Sequence, residues 1–183
     1  MRLFMISLLA ILLLYRCVHA QEVTFEGIET HDSITVLKGT NEPFTGKVVA
    51  FNVNGKKSME LEYKNGRESG TNRSWFPNGN IMNETQITNG KIDGLWIDYY
   101  ENGQKQNELT YEMDYMYGPC TRWYENGQIK EQGNHQHCRE QGHWIYYYEN
   151  GQKQSEGDYN QAVRIGTWTE WNEKGEVIKT EKF

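Results

Sequence analysis

The chain has 183 residues, a formal net charge of −6 at pH 7, and 13 % aromatic residues. This length allows one domain or one repeat array. The acidic balance argues against nucleic-acid binding by phosphate neutralisation, which requires a basic face.

The first twenty residues differ in composition from all that follows. An apolar run over 3–15 follows Arg2, and the segment ends in the residues V-H-A. This pattern predicts a secretory signal peptide over 1–20, cleaved between Ala20 and Gln21. The run is shorter than the roughly 20 apolar residues of a transmembrane helix. The leader holds two basic and no acidic residues, so its removal takes the net charge from −6 to −8. We therefore expect an exported protein, periplasmic or secreted, with no integral membrane segment after cleavage.

Residues 21–45 precede any periodic pattern. Within them, Ser33-Ile34-Thr35-Val36-Leu37 is rich in β-branched residues and predicts a strand. We expect this segment to cap the first open edge of the sheet that follows, because repeat arrays need capped ends.

From residue 46 onward the chain repeats every 24 residues. One glycine series is Gly46, Gly70, Gly94, Gly118, Gly142 and Gly166, and a second is Gly55, Gly79, Gly103, Gly127, Gly151 and Gly175. The repeats are 46–69, 70–93, 94–117, 118–141, 142–165 and a shorter last one, 166–183. A fixed period of this size is typical of a solenoid or extended array.

Each repeat contains the features of a β-hairpin. In five repeats the glycine of the second series directly follows an asparagine, and such an Asn-Gly pair predicts a tight type I′ turn. A second turn is predicted at Asn65-Gly66 and Asn89-Gly90, where later repeats carry Met113-Asp114, His137-Cys138 and Gln161-Ala162. For those three we expect a looser turn or another turn type. All twelve glycines are interpreted as turn residues. The predicted fold is all-β: an elongated antiparallel β-meander of about eleven strands in an open, solenoid-like sheet.

Aromatic residues recur at fixed places in the repeat. We call one column the aromatic ladder: Phe51, Trp75, Tyr99, Trp123, Tyr147 and Trp171. A second column, three residues earlier, includes Trp96, Trp144 and Trp168. Because strand side chains alternate faces, the two columns are expected on opposite faces of the sheet. These rings either form the core or leave one column exposed as a binding strip.

The stretches EPFTGKVVAFNVNGKKSMELEYKNG (42–66) and GLWIDYYENGQ (94–104) resemble the MORN-repeat variant family, in particular its YwqK-like antitoxins. The resemblance extends over about 42–183. It implies a β-hairpin array that contacts proteins or membrane surfaces and has no catalytic residues, and it implies a toxin partner for some members. An antitoxin would act in the cytoplasm, which the predicted signal peptide does not fit.

No nucleophile elbow, zinc-protease motif or phosphate loop is present, so we expect no catalytic residue and no cofactor. His135, His137, Cys138 and His143 are of metal-ligand type, but His137 and Cys138 fall at a turn, and His143 is expected about three strand rows from His135, roughly 10 Å away, so no metal site is predicted. In hairpin register Cys120 lies opposite Gly133, about 16 Å from Cys138, and a disulfide requires Cα atoms within about 7 Å. Two free thiols are therefore predicted.

The leading functional hypothesis is a non-enzymatic exported scaffold that binds another protein. Two alternatives are open: an antitoxin or immunity-type protein that sequesters a cognate toxin, and a module that binds glycan or peptidoglycan on the aromatic ladder.

Overall fold

The computed structural model of the chain describes residues 21–183; the predicted signal peptide and Ala20 lie outside this range. The described chain is almost entirely β-structure, with a single 3-10 turn at Phe25–Gly27. The strands are β1 (Gln21–Thr24), β2 (Ile28–His31), β3 (Ile34–Leu37), β4 (Gly46–Phe51), β5 (Lys57–Lys64), β6 (Arg67–Glu68), β7 (Gly70–Trp75), β8 (Ile81–Thr88), β9 (Lys91–Tyr99), β10 (Lys105–Glu112), β11 (Tyr115–Trp123), β12 (Ile129–Gln136), β13 (Arg139–Tyr147), β14 (Lys153–Asn160), β15 (Val163–Trp171) and β16 (Val177–Lys182).

Fourteen of these strands form one open sheet. The order is β1-β4-β5-β7 and then every strand in sequence to β16, with β6 beside β5. All pairs from β4 onward are antiparallel hairpin neighbours, as in the predicted meander. The sheet has more strands than the eleven expected, and its first pair, β1 with β4, is parallel rather than antiparallel.

The segment before the repeats lies against the first repeat. β1 supplies the terminal strand, and the strand predicted at 33–37 is found as β3, paired with β2. The Thr35 N–H donates to the Gly66 carbonyl at 2.9 Å. Phe44 is buried and its ring centroid lies 5.9 Å from that of Tyr63. These contacts join the segment to the start of the array.

The turns at the Asn-Gly pairs of the second glycine series are not of type I′, which corrects the sequence prediction for these turns. At Tyr100–Gln104 the Gly103 N–H donates to the Tyr100 carbonyl and the Tyr100 N–H to the Gln104 carbonyl. Gly103 has a φ of 87°, whereas Asn102 is not among the residues with positive φ. This is the three-residue loop of a type I turn followed by a glycine in the left-handed region.

The second turn of each of the five full repeats is a type I′ turn, including the three that lack Asn-Gly. Both central residues have positive φ at Gln161-Ala162 (51° and 68°), as at Met113-Asp114 and His137-Cys138. The expectation of a looser turn there was wrong. The Ala162 N–H donates to the Glu140 carbonyl of β13 at 3.0 Å, which ties this turn to the strand that follows the preceding type I′ turn.

The first glycine series does not form turns. Gly94 lies inside β9, at a φ of 123°, opposite a register shift in β8. A Cβ on Gly94 would lie 2.0 Å from the Gln86 Oε1 atom. These glycines therefore permit bulges, where the strand changes register against its neighbour.

The buried core lies mainly along one face of the sheet, which we call the tryptophan face, defined by Trp96, Trp144 and Trp168. Trp144 and Trp168 are the largest fully buried side chains, although the sheet is a single layer. The reason is local: a Cβ on Gly133 or Gly157 would lie 2.3–2.4 Å from the Trp144 or Trp168 ring, so each indole lies on a glycine of the preceding strand.

Candidate functional site

The aromatic ladder runs along the face of the sheet opposite to the tryptophan face. Its first ring, Phe51, is 51 % exposed, and the other five are half-buried. Each ladder residue is the last residue of its strand, next to the type I turn; Tyr99, for example, is paired with Lys105. Rings in successive repeats are about 10 Å apart, because two strand spacings separate them. The ladder is therefore a row of partly accessible rings across all six repeats.

Lysines lie between some of the rings. The Lys105 Nζ atom lies 5.9 Å from the centroid of Trp123, and the Lys153 Nζ atom lies 5.7 Å from that of Trp171. Each lysine thus comes from one repeat and contacts the tryptophan of the next. Lys153 also bonds Glu156 at 2.6 Å. The rings and these ion pairs form one mixed aromatic and charged surface.

At the first repeats this surface is bordered by an ion-pair network. Lys47 and Lys57 donate to Glu60 at 2.7 and 2.8 Å, and Arg73 donates to Glu84 at 2.8 Å. Burial raises the pKa of Glu60, but the hydrogen bonds and the charges of Lys47 and Lys57 together outweigh burial and hold the pKa below its usual value. Glu60 is therefore ionised at neutral pH, and both of its carboxylate oxygens accept a hydrogen bond from a lysine.

The phrase Y-E-N-G-Q connects each of the three repeats that contain it to the next repeat. The Tyr124 hydroxyl donates to the Tyr147 carbonyl at 2.8 Å, and the Asn126 amide nitrogen donates to the Glu149 carbonyl at 2.8 Å. The Asn126 Oδ1 atom also accepts from the Gln128 N–H within its own turn. Both repeat-to-repeat bonds span 23 residues. The sequence analysis assigned the asparagine to turn geometry alone and gave no role to the tyrosine that begins the phrase. The recurrence of this tyrosine two residues before Asn-Gly in three repeats was the signal that could have revealed it.

The turn glycines of the second series lie at these junctions. Gly127 and Gly151 have φ near 85°, and a Cβ on Gly127 would lie 2.8 Å from the Gln104 Oε1 atom of the previous repeat. Glycine is therefore required both by the backbone and by the stacked turn.

The histidine-rich stretch at 135–143 is spread over both faces and a turn. His135 is buried on the tryptophan face with its ring 5.1 Å from Trp144, and burial lowers its pKa. His137 is exposed in a type I′ turn, its ring 5.6 Å from Tyr117, and His143 is exposed beside Asp158. Within residues 21–183, no group of three or more His, Cys, Asp or Glu residues could hold a metal ion.

The two cysteines are separate. Cys120 is paired with Gly133, as the hairpin register predicted, and is buried on the tryptophan face. Cys138 is exposed in its turn, and both thiols are free. Burial raises the pKa of Cys120 to about 11, so its thiol is protonated at neutral pH.

The geometry defines a class of protein: an all-β array of stacked hairpins with a buried tryptophan face and a half-exposed aromatic ladder. Three consecutive segments, 92–113, 116–137 and 140–161, match the model of the MORN repeat variant family. The expected resemblance is confirmed for these repeats. Such repeats are commonly modules for protein or membrane-surface interaction. No curated protein matches the chain. No helix of the described chain has the length and apolar character to cross a membrane.

Proposed function

We propose that this protein is a non-enzymatic, exported scaffold that binds another protein through the aromatic ladder. The supporting observation is the row of half-buried rings, continued in register through all six repeats on one face. Partly exposed aromatic side chains are enriched at protein interfaces, where they supply large contact area at small entropic cost.

The neighbouring charges favour a protein partner over an anionic lipid surface. Residues 21–183 carry a net charge of −8, which opposes adsorption to anionic membranes. The lysines near Trp123 and Trp171 are already paired with glutamates of their own repeats. A partner would therefore contact aromatic rings bordered by ion pairs that carry no net charge. Such a surface is complementary to a protein surface that contains both apolar and polar groups.

The test has two stages. Tagged mature protein is used to capture partners from the periplasmic or secreted fraction, and the recovered partner is then purified and its affinity measured by calorimetry. Trp123→Ala and Tyr147→Ala should each weaken binding at least about tenfold, since central aromatic contacts contribute more than 1 kcal/mol.

Tyr115→Ala is the matched control, because Tyr115 is 57 % exposed and lies outside the ladder. Circular dichroism of every variant establishes that the sheet is retained. Loss of binding in Tyr115→Ala, or unchanged binding in both ladder variants, would show that the interface lies outside the ladder. A partner that is toxic when produced alone would identify the antitoxin alternative.

The ladder also keeps glycan binding open as a second function. Its rings are accessible rather than fully buried, and sugars stack on aromatic faces. Sedimentation of the protein with insoluble peptidoglycan, abolished by Trp123→Ala, would favour this function; equal recovery of the variant would exclude the ladder as its site.

A further inference from the structure

A cavity of about 350 Å³ lies on the tryptophan face, between the last two repeats. Its walls include Tyr146, Tyr148, Gln154, Ser155, Arg164 and Glu170. Its volume is at the lower end of the range for small-ligand pockets, roughly 300–1,000 Å³. Trp171, the last residue of the aromatic ladder, also lines it, but none of the other five ladder residues does.

The cavity exists because one repeat departs from the pattern of its neighbour. Glu131 lies 24 residues before Ser155 and bonds Arg122 at 2.6 Å, so an ion pair fills this place in the preceding repeat. Ser155 is small and buried, and Tyr146 occupies the position equivalent to that of Arg122, 24 residues earlier. The ion pair is thereby replaced by an open space with an aromatic wall.

The polar groups around the cavity differ in how far they are already engaged. Tyr148 donates its hydroxyl to the Trp171 carbonyl at 2.8 Å, and the Tyr146 hydroxyl is 3.4 Å from that of Tyr159. The Arg164 and Glu170 side chains approach only to 3.8 Å, beyond hydrogen-bond distance. The tyrosines therefore act mainly as ring walls, and Arg164 and Glu170 keep hydrogen-bonding capacity.

Arg164 is held in place by stacking. Its guanidinium carbon lies 4.1 Å from the centroid of the Trp168 ring, which is itself fully buried. A guanidinium fixed over an indole retains donors at its edge, and the neighbouring Glu170 offers two acceptor oxygens. Gln154, at the bulge of β14, adds an amide with both a donor and an acceptor.

We propose that this cavity binds one ring of a neutral saccharide. Arg164 and Glu170 cancel in charge, which favours an uncharged ligand. Guanidinium, carboxylate and amide groups are planar and bidentate, so each can bond two adjacent hydroxyls of a pyranose. The tyrosine rings provide an apolar surface for the C–H face of the sugar. The site does not depend on the ladder binding a protein.

The experiment is a titration of the ¹⁵N-labelled mature protein, followed by backbone amide chemical shifts. The probes are maltotriose, cellotriose, N,N′-diacetylchitobiose and, as a zwitterionic non-sugar, glycylglycine. We expect at least one saccharide to shift amides around 146–178 saturably. Arg164→Gln and Gln154→Ala should weaken that binding roughly tenfold or more, as expected for lost hydrogen bonds to a ligand.

Gln106→Ala is the matched control, because Gln106 occupies the same bulge position 48 residues earlier. Ser155→Gln is a second test, since it fills the cavity without adding charge, and should abolish binding in a protein whose circular dichroism is unchanged. The proposal is overturned if no saccharide binds saturably, if only glycylglycine binds, if the shifts lie on the part of the ladder before residue 146, or if Gln106→Ala weakens binding as much as Gln154→Ala.

Discussion

Replacing Gly133 by alanine tests how a single-layer sheet buries tryptophan. Gly133 does not have a positive φ, so its backbone accepts alanine without strain. The added Cβ would lie 2.3, 2.4 and 2.7 Å from three atoms of the Trp144 ring. Such separations do not occur between real atoms, so the indole must move.

The cost follows from what holds the indole. Its ring lies 5.1 Å from His135, 6.0 Å from Tyr146 and 6.2 Å from Tyr159, and its N–H donates to the Asn134 carbonyl. Overpacking of a fitted core costs about 1–3 kcal/mol, and complete loss of a buried tryptophan about 3–5 kcal/mol. Alanine recovers about 0.5–1 kcal/mol relative to glycine in a strand. We expect Gly133→Ala to lower the free energy of unfolding by about 2 kcal/mol.

Urea unfolding of wild type and variant, followed by circular dichroism, measures this difference. The preceding repeat supplies a compensating design, because Leu109 is there paired with Cys120, a large side chain opposite a small one. Gly133→Leu should be severely destabilising alone, and adding Trp144→Cys should restore part of the loss. A change below about 0.5 kcal/mol in Gly133→Ala, within the range of ordinary surface substitutions, would refute this account of tryptophan burial.

Three further predictions concern the turns, His135 and the thiols. Asn126→Ala should lower the free energy of unfolding by about 1–2 kcal/mol in urea, because two hydrogen bonds are lost; an unchanged value would show that the turns stack without it. Burial holds the pKa of His135 below its ordinary value of 6.5, so the folded state binds a proton less readily than the unfolded state. Its contribution to stability is complete above about pH 6.5 and is lost as the pH falls below that value; thermal unfolding across pH 5–8 should show a flatter slope in His135→Tyr but not in His137→Asn. A thiol reagent should modify Cys138 in the folded protein and Cys120 only after denaturation, as mapped by peptide mass; equally fast modification of both would contradict the buried position of Cys120.

The sequence predicted the repeat period, the strand positions and the opposite-face placement of the two aromatic columns, because all three depend on local alternation and spacing. It failed on turn type. Asn102 was expected at positive φ. Instead, its side-chain oxygen accepts from the Gln104 N–H and its side-chain nitrogen donates to the Glu125 carbonyl of the next repeat, and both bonds favour the type I turn. Gln161-Ala162 has no propensity for a type I′ turn, and strand register together with the bond to Glu140 imposes it.

The candidate sites were predictable to different degrees. The ladder is visible in the sequence as a column, but its partial exposure depends on how the strands of residues 21–183 are layered, which no single repeat encodes. The cavity beside Ser155 arises from two substitutions, at 146 and 155, that look unremarkable separately. They become informative only when β13 and β14 place them as a cross-strand pair.

The bonds of the Y-E-N-G-Q turns have a consequence for how such a chain can change. Tyr124 and Asn126 donate to backbone carbonyls of the next repeat, and a carbonyl is present whatever residue follows. Repeats can therefore be duplicated, exchanged or reordered as whole 24-residue blocks without matching side chains at these junctions. On the tryptophan face each buried indole still requires a glycine in the preceding repeat, but the ladder face has no such requirement, so that one scaffold can display a different surface there in every repeat.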